Sequence, residues 1–243
     1  MKKTNLGVVF GLVLPLASCS MMKSKPTENQ KVSNNQVQTE SRDREAFEKA
    51  ANLTGGWPES SVNAAKEIIS KYGEPSERTT DSLIWRNIAP FKKIVVHKEV
   101  YSHRFPLLHQ NSLEHVVDYR APVSKIDDVW QYNGSIVLDR TKGEMSSFAE
   151  NESMNILALN LAHQVMTGKM GHEVARVTYG KETMNYLNGK KTANTTVLNF
   201  GNQFQTADEG ESITNKIHWV GDPALQKKGP TQTPRIKQAQ EEN

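Results

Sequence analysis

Apolar and polar positions alternate with period along only part of the chain, and that part marks where a fold is expected. Val62, Ala65, Ile68 and Ile69 recur at helical spacing between Ser60 and Tyr72, with Gly73 and Pro75 as stop signals and Ser60 or Ser61 as the cap. Two strands are expected at 82–88 (SLIWRNI) and 92–97 (KKIVVH), joined by a turn at Ala89-Pro90. In 113–120 (LEHVVDYR) Leu113, His115, Val117 and Tyr119 share one face and Glu114, Val116 and Asp118 the other, which reads as a third strand. A short helix follows near 124–132, capped by Ser124, and Asn133-Gly134 turns the chain into 135–140 with a continuation through Phe148.

The most regular helical pattern is 153–167 (SMNILALNLAHQVMT), with Met154, Leu157, Ala158, Leu161, Ala162 and Val165 on one stripe and Gly168 at its end. A further helix over 171–187 carries Val174, Ala175, Thr178 and Tyr179 and is expected to pack back on its neighbour across a short connection. Strands in one run and helices around them predict an α+β domain: an antiparallel sheet of about 4–5 strands, helices on one face, and a C-terminal helical hairpin.

Outside 57–187 the pattern fades. From Ser20 to about Glu40 the chain is mostly Lys, Ser, Thr, Asn and Gln, too poor in apolar groups to offset the entropy of ordering it as a packed layer. Residues 19–56 therefore read as a tether, with a short helix at 41–53 ended by Gly55-Gly56-Trp57-Pro58. Residues 188–243 read as a mostly disordered polar tail with two apolar islands, 197–200 (VLNF) and 217–220 (IHWV), each able to pair with a sheet edge or dock on a partner.

The first 19 residues follow a different rule. Lys2 and Lys3 precede an uncharged run from Leu6 to Leu16, which is too short to span a bilayer of about 30 Å but suits the core of an export signal. Leu16-Ala17-Ser18-Cys19 resembles the lipobox of bacterial lipoproteins. That resemblance implies removal of residues 1–18 as a signal peptide and acylation of Cys19, with palmitate among the chains that hold the protein on a lipid bilayer. It also implies sorting, because Asp after the cysteine favours retention in the inner membrane and this chain has Ser20. The expected location is the cell envelope, as an outer-membrane lipoprotein facing the periplasm.

Charge and cysteine usage narrow the rest. The formal net charge of +3 drops to about +1 once Lys2 and Lys3 are gone, so composition excludes a nucleic-acid binder. Cys19 is the only cysteine; when it is acylated neither a disulfide nor a cysteine nucleophile exists, and the core must hold by packing. There is no GxSxG, no GxGxxG and no P-loop, so no nucleotide and no cofactor is implied.

A second resemblance is local. The helix, the turn Tyr72-Gly73-Glu74-Pro75 and the following strand with Trp85 are similar to the SmpA/OmlA type of small outer-membrane lipoprotein, over residues 60–90 or so. His97–Leu187 has no counterpart in that short domain. It resembles only uncharacterised bacterial proteins, which brings no activity with it.

Candidate chemistry is sparse. His97, His103, His109 and His115 fall at intervals of six, near Glu99, Glu114 and Asp118; His103, His109, His115 and Glu114 are the set from which a zinc site of a periplasmic hydrolase would be drawn. Metal motifs gain specificity from ligands fixed on one element, and these lie on two strands and a loop. Asp127-Asp128 and Glu144, Glu150 and Glu152 supply carboxylates, with Glu150 and Glu152 placed where negative charge favours a helix start. His163 sits at the edge of an apolar stripe, and the run 140–144 (RTKGE) is a basic turn.

Two loops stand out instead, 88–91 (IAPF) and 105–108 (FPLL), each placing large apolar residues beside a proline. Pro90, Phe91, Phe105, Pro106, Leu107 and Leu108 are thus candidate partner-binding residues, facing an envelope protein or peptidoglycan; folded inward, they would plug the end of the core instead. The functional expectation is a membrane-anchored envelope lipoprotein acting as a non-enzymatic binding or structural module, with the His/Glu hydrolase as the alternative.

Overall fold

In the computed structural model, residues 28–201, 203 and 205–208 are described; the stretch read as a signal peptide and lipobox, Cys19 and the island 217–220 lie outside them. The chain divides into two units, Met1–Arg42 and Asp43–Asn243. In the first, the described backbone is helical, as part of α1 (Glu28–Leu53), a helix that continues through the polar stretch expected to be a coil.

The second unit holds the rest of the architecture. After the end of α1 come α2 (Glu59–Tyr72), β1 (Glu77–Arg78), β2 (Ser82–Ile88), β3 (Phe91–His103) and β4 (His109–Asp118). A single 3-10 turn at Val123–Lys125 leads into α3 (Ile126–Tyr132), followed by β5 (Ile136–Asp139), β6 (Glu144–Ala149), α4 (Glu152–Met166), α5 (His172–Leu187) and α6 (Ala193–Thr196). The six strands form one antiparallel sheet in the order β1-β2-β3-β4-β6-β5. This is an α+β domain, with six strands where four or five were expected. The extra ones are the two-residue β1 and the division of 135–148 into β5 and β6 by the turn at 140–143, both too short to announce themselves by alternation.

Register explains the core. Leu83 and Trp85 on β2 lie beside Val96 and Ile94 on β3, which face Leu113 and His115 on β4, and these meet Ala149 and Ser147 on β6. These residues form one buried stripe across the sheet. Against it lie α2, through Ala64, Ala65, Ile68 and Ile69, and α4. Helix α4 also packs on α3, α5 and α6, so nearly all of its surface is buried; accordingly its sequence is apolar almost all round. Its N-cap is Asn151, whose side chain accepts from the Met154 amide at 3.0 Å.

Two expected caps are not caps. Helix α2 starts after Pro58, leaving Ser61 buried in its first turn, where it donates to the Lys98 carbonyl at 3.4 Å. Ser124 lies in the 3-10 turn before α3. The end of α1 joins this unit through Ala46 and Ala50, both in the core, and the Ser70 hydroxyl donates to Asp43 at 3.4 Å.

Structure also extends past 188, into the expected polar tail. The fully buried Asn160 of α4 donates to the carbonyls of Asn194 (3.0 Å) and Val197 (2.7 Å) and accepts from the amide of Asn199 at 2.7 Å. The island 197–200 folds onto its own domain: Leu198 and Phe200 pack on the core, and the Phe200 ring stacks on His163 at 4.6 Å. Thr206 closes over the β5–β6 turn, donating to the Gly143 carbonyl at 2.6 Å. Gly143 has φ of +66°, and a Cβ there would come within 2.3 Å of the backbone at Thr206 and Ala207, so both dihedral and space require glycine.

Asn160→Ala strands these backbone groups without a partner. Stability should fall by about 2–4 kcal/mol in urea unfolding, and limited proteolysis should cut within 193–208 before the rest of the domain.

Candidate functional site

The two apolar loops meet different fates. Phe91 starts β3 and is buried, its ring edge-on to His115 with centroids 4.4 Å apart. It is a core residue, which corrects its assignment to a partner surface, whereas Pro90 beside it is exposed. The loop at 104–108 extends past the end of β3 and lies along α5. There Phe105 stacks on the buried Tyr179 (5.3 Å, 21° between planes), and the Arg176 guanidinium sits 4.0 Å from the Phe105 centroid. Arg176 also donates to the carbonyls of Tyr132 (2.8 Å) and Gln131 (3.3 Å).

With Phe105 as its floor, the loop leaves Leu107 and Leu108 exposed, at 47% and 72%. Between Pro106 and Leu107 on one side and Arg176, Val177, Lys181 and Met184 on the other runs an apolar groove of about 610 Å³. The α5 wall was missed at the sequence level. Ala175, Tyr179 and Thr183 point inward, while Val174, Val177, Met184 and Leu187 face solvent. Val174, expected on the packed side, belongs to the exposed one. The readable signal was that α5 carries apolar residues on both sides, so that one face has no partner within the domain.

The second notable cluster is polar and lies beneath the sheet's helical layer. Glu152 opens α4, 3% exposed; its carboxylate takes ion-pair contact from Lys71, accepts from the Tyr72 hydroxyl at 3.1 Å, and receives His115 Nε2 at 3.3 Å. His115 is fully buried, and its Nδ1 accepts from Asn155 Nδ2 at 3.0 Å, which places the proton on Nε2, donating to Glu152. Burial holds the His115 pKa below its ordinary value, so the ring is neutral. For Glu152 burial acts upward, but the His115 hydrogen bond and Lys71 outweigh it and keep the carboxyl below its usual range. Both ring nitrogens of His115 are occupied and no solvent reaches it; chemically it is a strut between β4 and α4.

Glu67 completes the cluster by accepting from the Glu152 backbone amide at 3.3 Å. Burial first and the Glu152 charge second push it up to about 7. It also lines a polar cleft of about 470 Å³ with Glu59, Asn63, Gln110, Glu150 and Asn151.

The four candidate zinc ligands do not assemble. His103 and His109 pair across the end of the β3–β4 hairpin, ring centroids 5.2 Å apart, with His103 Nδ1 3.2 Å from Ser135 Oγ and His109 donating to the Leu107 carbonyl at 2.8 Å. His115 is in the core, and Glu114 is on the opposite sheet face, 3.2 Å from His97. Among the described residues no three His, Cys, Asp or Glu side chains are grouped to hold a metal ion. Other candidates are engaged locally: Asp128 with Lys125 at 2.8 Å, Glu144 with Lys92 at 3.1 Å, His163 with the Tyr119 hydroxyl at 3.0 Å, Lys142 with Asp139 at 2.7 Å, and Arg140 with Asp208.

Because Glu67 binds its proton more tightly in the folded chain than in the unfolded one, the stability it confers is complete below pH 4.5 and is lost as pH rises towards 7. His115, depressed when folded, works in the opposite direction. Comparison with Glu67→Gln isolates the first effect: between pH 5 and 8 the wild-type melting temperature should fall by about 3–6 °C relative to the variant, read by circular dichroism.

No family model matches the chain, and no curated protein and no solved structure matches it either. Its functional reading rests on the groove and the cluster themselves.

Proposed function

We propose that this chain is a lipoprotein of the bacterial cell envelope, held on the periplasmic side of the outer membrane by acylated Cys19, whose domain acts as a non-enzymatic binding module for another envelope protein. The anchoring half of this reading rests on Lys2, Lys3, the apolar run 6–16 and the lipobox 16–19. Among the described residues no helix is long and apolar enough to cross a membrane.

The binding half rests on one observation: the outward face of α5 and the tip of the 105–108 loop place Leu107, Val177 and Met184 together at the surface around a groove, with Leu108 exposed next to Leu107 in the chain. Exposed apolar groups scattered singly are ordinary, but a contiguous patch walling a groove is what a partner covers. The helical layer on one sheet face, ending in the α4–α5 hairpin, supports the same view, since it turns α5 outward. A protein partner is favoured over peptidoglycan because Pro106, Leu107, Val177 and Met184 give the groove an apolar wall around its two cations, Arg176 and Lys181, and apolar side chains have little to offer a polyhydroxylated glycan. The hydrolase alternative finds no support in the arrangement of its residues, split between a hairpin end, the core and the far sheet face.

Cys19→Ser should abolish labelling by radioactive palmitate and move the protein from the membrane to the soluble fraction; unchanged labelling sinks the anchoring claim. Crosslinking in intact cells should recover a partner from the wild type and lose it with Leu107→Ser combined with Val177→Ser, at an unchanged melting temperature. Recovery of the same proteins from that variant counts against the groove.

A further inference from the structure

The outward residues of α5 are spaced in a way that specifies the shape of what covers them. Val174, Val177, Lys181 and Met184 follow one another at intervals of three, four and three, the spacing of a coiled-coil seam, over about 15 Å of helix. Val174, Val177, Lys181 and Met184 are all exposed. In such a seam the positions facing a second helix are apolar, and a single charged residue among them selects its counterpart.

Here the charged residue is Lys181. The charged side chains that line the groove are Arg176 and Lys181, both cationic, and among the described residues neither forms an ion pair with a carboxylate. Arg176 is met by two backbone carbonyls and the Phe105 ring, all of them neutral. Glu173, exposed one turn before Val177, is the acidic residue nearest in sequence on this side of α5, and it is not a groove residue. The surface is therefore apolar with uncompensated positive charge at its centre.

We infer that the groove receives an amphipathic helix of a second envelope protein, with apolar residues at three- and four-residue spacing and an Asp or Glu set opposite Lys181. This rests on the docking reading above and adds the chemistry of the partner. A second copy of this chain is the poorer occupant. A parallel two-fold pairing of α5 with itself brings Lys181 against its own copy, and an antiparallel one centred on the stripe sets Lys181 opposite Val177 with the two lysines about 6 Å apart along the axis, so like charges oppose association either way. A carboxylate in that place is instead held in a partly desolvated setting, where the attraction exceeds that of a surface pair. The helix-in-groove mode also uses the loop: Pro106 and Leu107 close the side opposite α5 and would contact the partner's flank.

The test uses the full chain in intact cells. A photoreactive benzoylphenylalanine placed at Met184, and separately at Leu107, is irradiated, and the crosslinked peptide is mapped by mass spectrometry. The expected product is a peptide of another protein with the stated apolar spacing and an acidic residue within one turn of the attachment point. Lys181→Glu should cut adduct yield about tenfold, at an unchanged melting temperature because the residue is exposed. Changing the mapped acid to Lys should restore it. An adduct to a protein segment without that spacing or without an acid, or a charge swap that fails to restore yield, overturns the inference while leaving the docking reading in place. Adducts to lipid only, to a second copy, or to nothing from either position overturn both.

Discussion

The buried carboxylate of Glu152 is the constraint around which the domain is arranged. An ionised group at 3% exposure survives only if every lone pair is met, and Glu152 is met from three elements: Lys71 and Tyr72 on α2, His115 on β4, and its own place at the start of α4. Losing one partner from such a cluster costs about 3–5 kcal/mol, far more than a surface pair. The cluster therefore sets where α2 and α4 lie on the sheet. Asn155, one turn further along α4, adds a second tie by donating to the Leu113 carbonyl at 2.9 Å. With α4 so placed, α5 packs along its outer side, and Asn160 gathers the segment from 194 to 199.

That arrangement is also what makes α5 available. The sheet occupies one side of α4, and α3, α5 and α6 share the remainder, so α5 buries only the face carrying Ala175, Tyr179 and Thr183. A solvent-facing helix side is ordinarily polar. This one keeps Val174, Val177, Met184 and Leu187, and the neighbouring hairpin loop adds Leu107 and Leu108. The core and the candidate binding surface are thus opposite sides of one helix, and the same packing that stabilises the domain presents the groove.

The two proline loops show how little local pattern says about exposure. In each, an apolar run interrupted by proline bridges two antiparallel strands. The connection from β2 to β3 is two residues long and keeps Phe91 on the strand, within reach of His115. The connection from β3 to β4 is five residues long and carries Pro106, Leu107 and Leu108 beyond the end of the sheet, where only α5 is there to meet them. Loop length, not composition, decides which becomes core.

Periodicity by itself determined the major elements: α2, α4 and α5, the strands with alternating burial, and the turn at Asn133-Gly134. These are encoded by neighbours within one or two turns. The resemblance of 16–19 to a lipobox is likewise legible from the residues alone, since it rests on a short string and on no fold. Only the tertiary structure decided that Glu152, legible merely as a helix-start charge, is the buried centre of a cluster with residues 37 to 85 positions away. It alone decided that His115 is a strut, that Asn160 holds residues 194–199, and which of the two apolar sides of α5 faces outward. Burial and pairing between elements depend on which surfaces are brought together across the chain, and one-dimensional spacing carries no record of that.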